Sequence, residues 1–292
     1  MDYTAIGDQL YRSVDNLAVE KFLQNLSSKH ADHCNREVYE FCLGCLDLTS
    51  LGATDSPSHI HEFALKAADF NRHFPHLPHV ATICVYPVFV DVAGLALNES
   101  EVGITSVGGG FPVSKTFLEV KMLECAMAEE NGADEIDIVI NLGHYLDGNY
   151  ELVANEIETI CHELNVDTVL KVIIESGMLS SLDDVRRASV LAMAAGADMI
   201  KTSTGINGPG ASPEAVTVMC EGIKDYYEYS GKRVGMKVAG GVRTAEDAVL
   251  YYTIVKEILG EEWLTPELFR IGASALANNL LSAIEGHEVT YF

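Results

Sequence analysis

Asn131-Gly132-Ala133-Asp134 leads into Glu135-Ile136-Asp137-Ile138-Val139-Ile140, and 64 residues later Ala195-Gly196-Ala197-Asp198 leads into Met199-Ile200-Lys201. In both places an amphipathic stretch of helical period comes first, a glycine stops it, and a short apolar run follows. The spacing suits two βα units of roughly 30 residues each. Other strand candidates keep the same rhythm, beginning near Leu43, Val80, Gly103, Glu135, Thr168, Met199, Val234 and Leu268. Helix starts fall between them. Ser212-Pro213 reads as an N-cap with a first-turn proline, and Thr244-Ala245-Glu246-Asp247 as a capping box. Val185, Ala188, Ala192 and Ala195 make one apolar stripe ahead of Met199. Eight alternating units predict an α/β chain folded as a (β/α)8 TIM barrel rather than an open sheet.

Residues 1–40 precede this rhythm and read as an N-terminal helical extension, with Val19, Phe22, Leu23 and Leu26 forming a stripe that packs against the barrel. Residues 41–292 are then the barrel itself. The segment 260–267, which carries the lone Trp263, reads as an insertion before the last strand.

Composition narrows the functional classes. With 19 basic against 43 acidic residues, a net charge of −24 argues against nucleic acid and anionic membranes as partners, because both require a basic face. A hydrophobic content of 48% excludes disorder as the main state. Seven scattered cysteines fit reduced thiols and a cytoplasmic setting better than a disulfide framework. Met1-Asp2-Tyr3-Thr4 has neither the basic nor the apolar part of a signal peptide, and no uncharged apolar run reaches ~18 residues. No metal is expected. His73, His76 and His79 are interrupted by Pro75 and Pro78, and Cys42-Leu43-Gly44-Cys45 lacks a second pair.

Lysines carry the chemistry. Lys201 and Lys237 each end an apolar run just before a glycine-bearing loop, and burying an ammonium there is costly. The strand pattern sends Asp47, Asp137, Lys171, Glu175, Lys201 and Lys237 into the barrel, more charge than a purely structural core needs. Two ammonium groups ~5 Å apart at an effective dielectric of ~20 repel by roughly 3 kcal/mol, worth about two pKa units. On this expectation one of the two stays charged and, with burial adding to the effect, the other becomes a competent neutral nucleophile for a carbonyl. Gly205, Gly240, Gly241 and Gly272, with Ser274 and Arg243 nearby, mark the last strand ends, where barrels commonly bind phosphate through backbone N–H groups.

At these residues the chain resembles class I deoxyribose-phosphate aldolases, from about Asp47 to Ser274. The carriers are Leu46-Asp47-Leu48-Thr49, Thr82-Ile83-Cys84-Val85-Tyr86-Pro87, Gly132-Ala133-Asp134-Glu135-Ile136-Asp137, Leu170-Lys171-Val172-Ile173-Ile174-Glu175, Ile200-Lys201-Thr202-Ser203-Thr204-Gly205, Ala239-Gly240-Gly241-Val242-Arg243-Thr244 and Gly272-Ala273-Ser274. The resemblance implies a barrel that reversibly cleaves 2-deoxy-D-ribose 5-phosphate to acetaldehyde and glyceraldehyde 3-phosphate, without cofactor or metal. It implies Lys201 as the Schiff-base residue, Lys237 and Asp137 as its partners in proton handling, and Asp47 and Lys171 in support. It also implies Tyr291 as the counterpart of a C-terminal tyrosine that reaches the site.

Three positions depart from that pattern. Ile206 stands where the family often has a phosphate-binding lysine, Ala275 where it has a second serine, and Val238 where many members carry proline. Loss of a charge-assisted hydrogen bond, worth ~1.5–3 kcal/mol, weakens binding by roughly ten- to a hundredfold. Two other readings therefore stay open: a Schiff-base aldolase with an unphosphorylated or different acceptor, and a non-catalytic sugar-phosphate-binding barrel. Oligomeric state, including a homo-oligomer, is not settled by the sequence.

Overall fold

In the computed structural model, which describes residues 10–98 and 100–292, eight parallel strands close into a barrel in sequence order. They are β1 (Leu46–Thr49), β2 (Thr82–Val85), β3 (Gly103–Val107), β4 (Glu135–Val139), β5 (Val169–Ile173), β6 (Met199–Lys201), β7 (Gly235–Ala239) and β8 (Phe269–Ala273). Each is a nearly continuous buried run, as strands sandwiched between barrel interior and outer helices must be. Strands start within three residues of the sequence expectation. The largest offset is at β1, because helix Arg36–Gly44 runs through the position where a strand was expected.

The repeated phrase does the same job twice. Gly132 and Gly196 adopt positive φ (106° and 117°), which turns the chain out of the preceding helix. The aspartate that follows then caps a neighbouring strand: Asp134 Oδ2 accepts the Ile104 N–H (2.8 Å) and Asp198 Oδ2 accepts the Leu170 N–H (3.1 Å). Two backbone donors at the barrel's N-terminal end are satisfied in this way. The helix-start readings also hold. Ser212 caps Pro213–Ser230, and Thr244 and Asp247 form a reciprocal box at Ala245–Leu259.

Outside the barrel, helix Asn16–His33 buries Val19 and Leu26 against helices Ala245–Leu259 and Pro213–Ser230. Trp263 is buried before β8 and donates its indole N–H to the Val234 carbonyl (2.9 Å). The apolar core thus forms a ring between strands and helices, which leaves the barrel interior free for polar side chains.

Candidate active site

Alternation along the strands decides which side chains enter the barrel. Lys201 on β6 is the Cα partner of Lys237 on β7, and Asp137 on β4 is the partner of Lys171 on β5. Lys201 Nζ and Lys237 Nζ each lie 2.7 Å from Asp137 Oδ2, and Lys171 Nζ lies 2.8 Å from Asp137 Oδ1. Lys237 Nζ also stands 2.5 Å from Asp47 Oδ2. All five residues are buried.

Two further charges belong to this cluster, and the sequence reading missed both. Arg270 pairs with Asp47 (2.7 Å) and Glu135 (2.8 Å), while Lys171 reaches Glu135 at 2.6 Å. The Thr105 hydroxyl donates to Glu135 (2.8 Å). Their signal was period two: Glu135 lies two residues before Asp137, and Arg270 two before Gly272, so each pair shares a face. Glu175, expected in the cluster, lies outside it. β5 ends at Ile173 and Glu175 takes a left-handed φ of 51°, so strand alternation no longer directs its side chain inward. Its carboxylate bonds the N–H and hydroxyl of Thr204 instead.

These surroundings separate the two lysines. Burial pushes the Lys201 ammonium below its usual range, Asp137 opposes the shift, and the Lys237 charge adds to it. Burial would lower Lys237 too, but Asp137 and Asp47 outweigh it and hold that lysine well above the ordinary value. Burial by itself raises Asp137, yet Lys171, Lys201 and Lys237 together hold it far below the usual carboxylate range. This corrects one expectation. Burial, not repulsion by the second ammonium, is the larger cause of the depressed Lys201.

A cavity of about 490 Å³ opens at the C-terminal end of the barrel. Of the cluster, only Lys201 lines it. Its other walls come from the strand-end loops and include Gly205, Gly240, Gly241, Gly272 and Ser274. Gly272 is needed for space, since a Cβ there would fall 3.2 Å from Lys237 Cε and 3.1 Å from Ala239 Cβ. Among the described residues, the backbone N–H groups of Gly205, Gly240, Gly241 and Ser274 donate to no protein acceptor. Unpaired donors around one cavity, beside the start of helix Leu276–Glu285, suit an anion.

The sequence matches the DeoC/LacD family aldolase profile over residues 64–279. The chain belongs to that family. It is 39% identical to the deoxyribose-phosphate aldolase of Homo sapiens over 256 residues, 83% of this chain and 79% of the relative. The bovine enzyme of the same name is 38% identical over 257 residues, with the same coverage. The fold is also similar to that of a tetrameric deoxyribose phosphate aldolase from Aeropyrum pernix, with a TM-score of 0.68 and 24% identity over 86% of this chain and 97% of that one.

Tyr291 does not join the site of this aldolase in the structure. Its hydroxyl donates to the Lys66 carbonyl (2.8 Å), and its ring packs edge-on against Phe70 and Phe74. Lys66 sits in the last turn of helix Pro57–Ala68, which begins just after β1, so this contact lies at the barrel's opposite end. Tyr291 is held there by an aromatic cluster that includes Phe292. Ile206, half exposed, lines the cavity where the resemblance places a lysine. His76 pairs with Glu285 and His79 bonds the Val80 carbonyl, so the two point to different partners. Cys42 and Cys45 are buried free thiols.

Proposed function

We propose that this aldolase reversibly cleaves 2-deoxy-D-ribose 5-phosphate to acetaldehyde and glyceraldehyde 3-phosphate through a Schiff base on Lys201. One observation carries the reading: of the buried charges, the lysine whose ammonium is destabilised is the one that faces the cavity. The neutral Lys201 amine attacks the C1 aldehyde, and the carbinolamine takes up a proton and loses water to give an iminium. The iminium then draws in the C2–C3 bonding electrons as the C3 hydroxyl gives up its proton, releasing glyceraldehyde 3-phosphate and an enamine. Protonation at C2 and hydrolysis free acetaldehyde and restore Lys201.

Asp137 is suited to orient Lys201 and accept protons, and Lys237 to stay charged beside it. Asp47, with Arg270, holds Lys237 in place, and Lys171 fixes the other oxygen of Asp137. Gly205, Gly240, Gly241, Gly272 and Ser274 would cradle the phosphate, with Arg243 supplying charge at the rim. The seven cysteines are all free thiols, which supports a cytoplasmic setting. Among the described residues no helix is long and apolar enough to cross a membrane.

Borohydride trapping with acetaldehyde, followed by peptide mass mapping, tests the mechanism. An adduct on Lys201 that is absent from Lys201→Ala is expected, and an adduct on Lys171 or Lys237 instead would overturn the assignment. The half-exposed Ile206 favours a second reading, an unphosphorylated acceptor. Comparing kcat/KM on deoxyribose and on its 5-phosphate separates the two.

A further inference from the structure

Glu175 is fully buried, and the Schiff-base chemistry leaves it unused. Its backbone is left-handed (φ 51°, ψ 56°), a conformation that a residue with a side chain keeps only where its surroundings over-determine it. Its carboxylate hydrogen-bonds to a single loop, the one that follows β6. Glu175 Oε1 accepts the Thr204 N–H (3.1 Å) and Oε2 accepts the Thr204 hydroxyl (2.7 Å). The Thr204 oxygen in turn accepts the N–H groups of Ile206 and Asn207, both at 3.1 Å.

The two loops are also packed backbone to backbone. The Ser176 N–H donates to the Thr202 carbonyl (2.8 Å), and a Cβ on Gly177 would fall 2.2 Å from the Pro209 oxygen. Among the described residues no cation pairs with Glu175. A buried carboxylate without an ion pair is costly, so its hydrogen bonds to one turn make that turn rigid. Between the tied N–H groups sits Gly205, at a positive φ of 77° and lining the cavity.

We propose that Glu175 is a positioning residue that acts through Thr204. It holds residues 204–207 in the turn that offers the Gly205 N–H to the phosphate end of the substrate. Glu175 therefore governs affinity for the phosphorylated sugar and not iminium formation on Lys201, which Asp137 orients independently. This rests on the deoxyribose 5-phosphate reading above.

The test is Glu175→Gln, with Thr204→Val cutting the same link from the other side. Glutamine has one acceptor where glutamate has two, and the Thr204 oxygen already accepts two N–H groups, so one contact is lost. In both variants KM for 2-deoxyribose 5-phosphate is expected to rise about tenfold, with kcat within about twofold. Amide exchange in residues 203–208 should accelerate. Thr204→Ser restores the hydroxyl and should recover the wild-type KM. The acetaldehyde adduct of Glu175→Gln on Lys201 should form at the wild-type yield.

Unchanged KM in both variants would overturn the proposal, as would a fall in kcat together with loss of the adduct. If the unmodified enzyme fails to turn over the phosphorylated sugar, the substrate reading has failed, and calorimetry with inorganic phosphate replaces KM. Weaker phosphate binding and faster loop exchange in Glu175→Gln would still support the positioning role. Unchanged values would sink it.

Discussion

Lys201 and Lys237 stand opposite each other on neighbouring strands and hold their nitrogens 2.7 Å from the same oxygen of Asp137. They differ in what else they touch. Lys237 has a second carboxylate, Asp47, and is sealed from solvent, whereas Lys201 has Asp137 alone and lines the cavity. One shared oxygen thus joins a lysine biased toward the free amine to one biased toward the ammonium.

That asymmetry has a pH signature. Because Lys201 titrates below the ordinary lysine value, the reactive free amine accumulates as pH rises through the lowered pKa. kcat/KM should therefore climb along an acid limb and level off above it. Lys237→Leu removes one cause of the depression, so its limb should move to higher pH while burial keeps it below that of a free lysine. At neutral pH the variant should be slower than the unmodified enzyme, because less of its Lys201 is then the free amine. A limb that stays put or moves to lower pH would exclude Lys237 as a charge neighbour of Lys201.

Asp137 is the keystone for stability as well. Its folded pKa lies below the unfolded value, as do those of Asp47 and Glu135. Their stabilisation is fully present above the unfolded carboxylate range and lost as pH falls through the folded values. Asp137→Asn leaves three buried lysines, at least two of them charged, facing a neutral amide, so we expect a loss of ~3–5 kcal/mol at pH 7. Its stability should also fall less steeply with acid. Urea unfolding at pH 7 and pH 4 measures both, and a variant as stable as the wild type at pH 7 would contradict the account.

Gly272→Ala should act through Lys237. The new methyl would stand 3.2 Å from Lys237 Cε and 3.1 Å from Ala239 Cβ, so that the lysine or its neighbour must shift by a few tenths of an ångström. Overpacking of this kind costs about 1–3 kcal/mol. We expect kcat to fall more than tenfold in protein that still unfolds cooperatively. Wild-type kcat would show that the lysine tolerates the shift.

Ile206→Lys should add a cation to the cavity wall at the loop that Glu175 and Thr204 organise. A charge-assisted contact of ~1.5–3 kcal/mol would lower KM for the phosphorylated sugar by about tenfold or more, with a smaller change in kcat. Steady-state kinetics on deoxyribose and its 5-phosphate should show the gain on the phosphorylated sugar alone. An equal gain on both would place the phosphate elsewhere.

The barrel was legible because its signals are local. Helix stops at Gly132 and Gly196, caps at Ser212 and Thr244, and apolar runs of strand length all follow from neighbouring residues along the chain. Lys201, Lys237 and Asp137 were legible too, because a charge inside an apolar strand stands out and barrel geometry directs it inward. Glu135 and Arg270 were missed although period two marks them, since both lie at the start of their strands, away from the loops at the C-terminal ends.

Other properties belong to the tertiary structure alone. Burial outweighs the second ammonium in depressing Lys201, because it depends on how closely eight strands pack around that nitrogen. Glu175 turns from the lysines to Thr204 because one left-handed residue ends the strand alternation. Tyr291 lies at the far end of the barrel because its ring finds Phe70 and Phe74 there. Local pattern determined the fold and that Asp47, Asp137, Lys171, Lys201 and Lys237 lie inside it. Only the packed arrangement decided how those charges share one carboxylate oxygen and which of them meets the substrate, because electrostatic energies depend on distance and burial in space and not on separation along the chain.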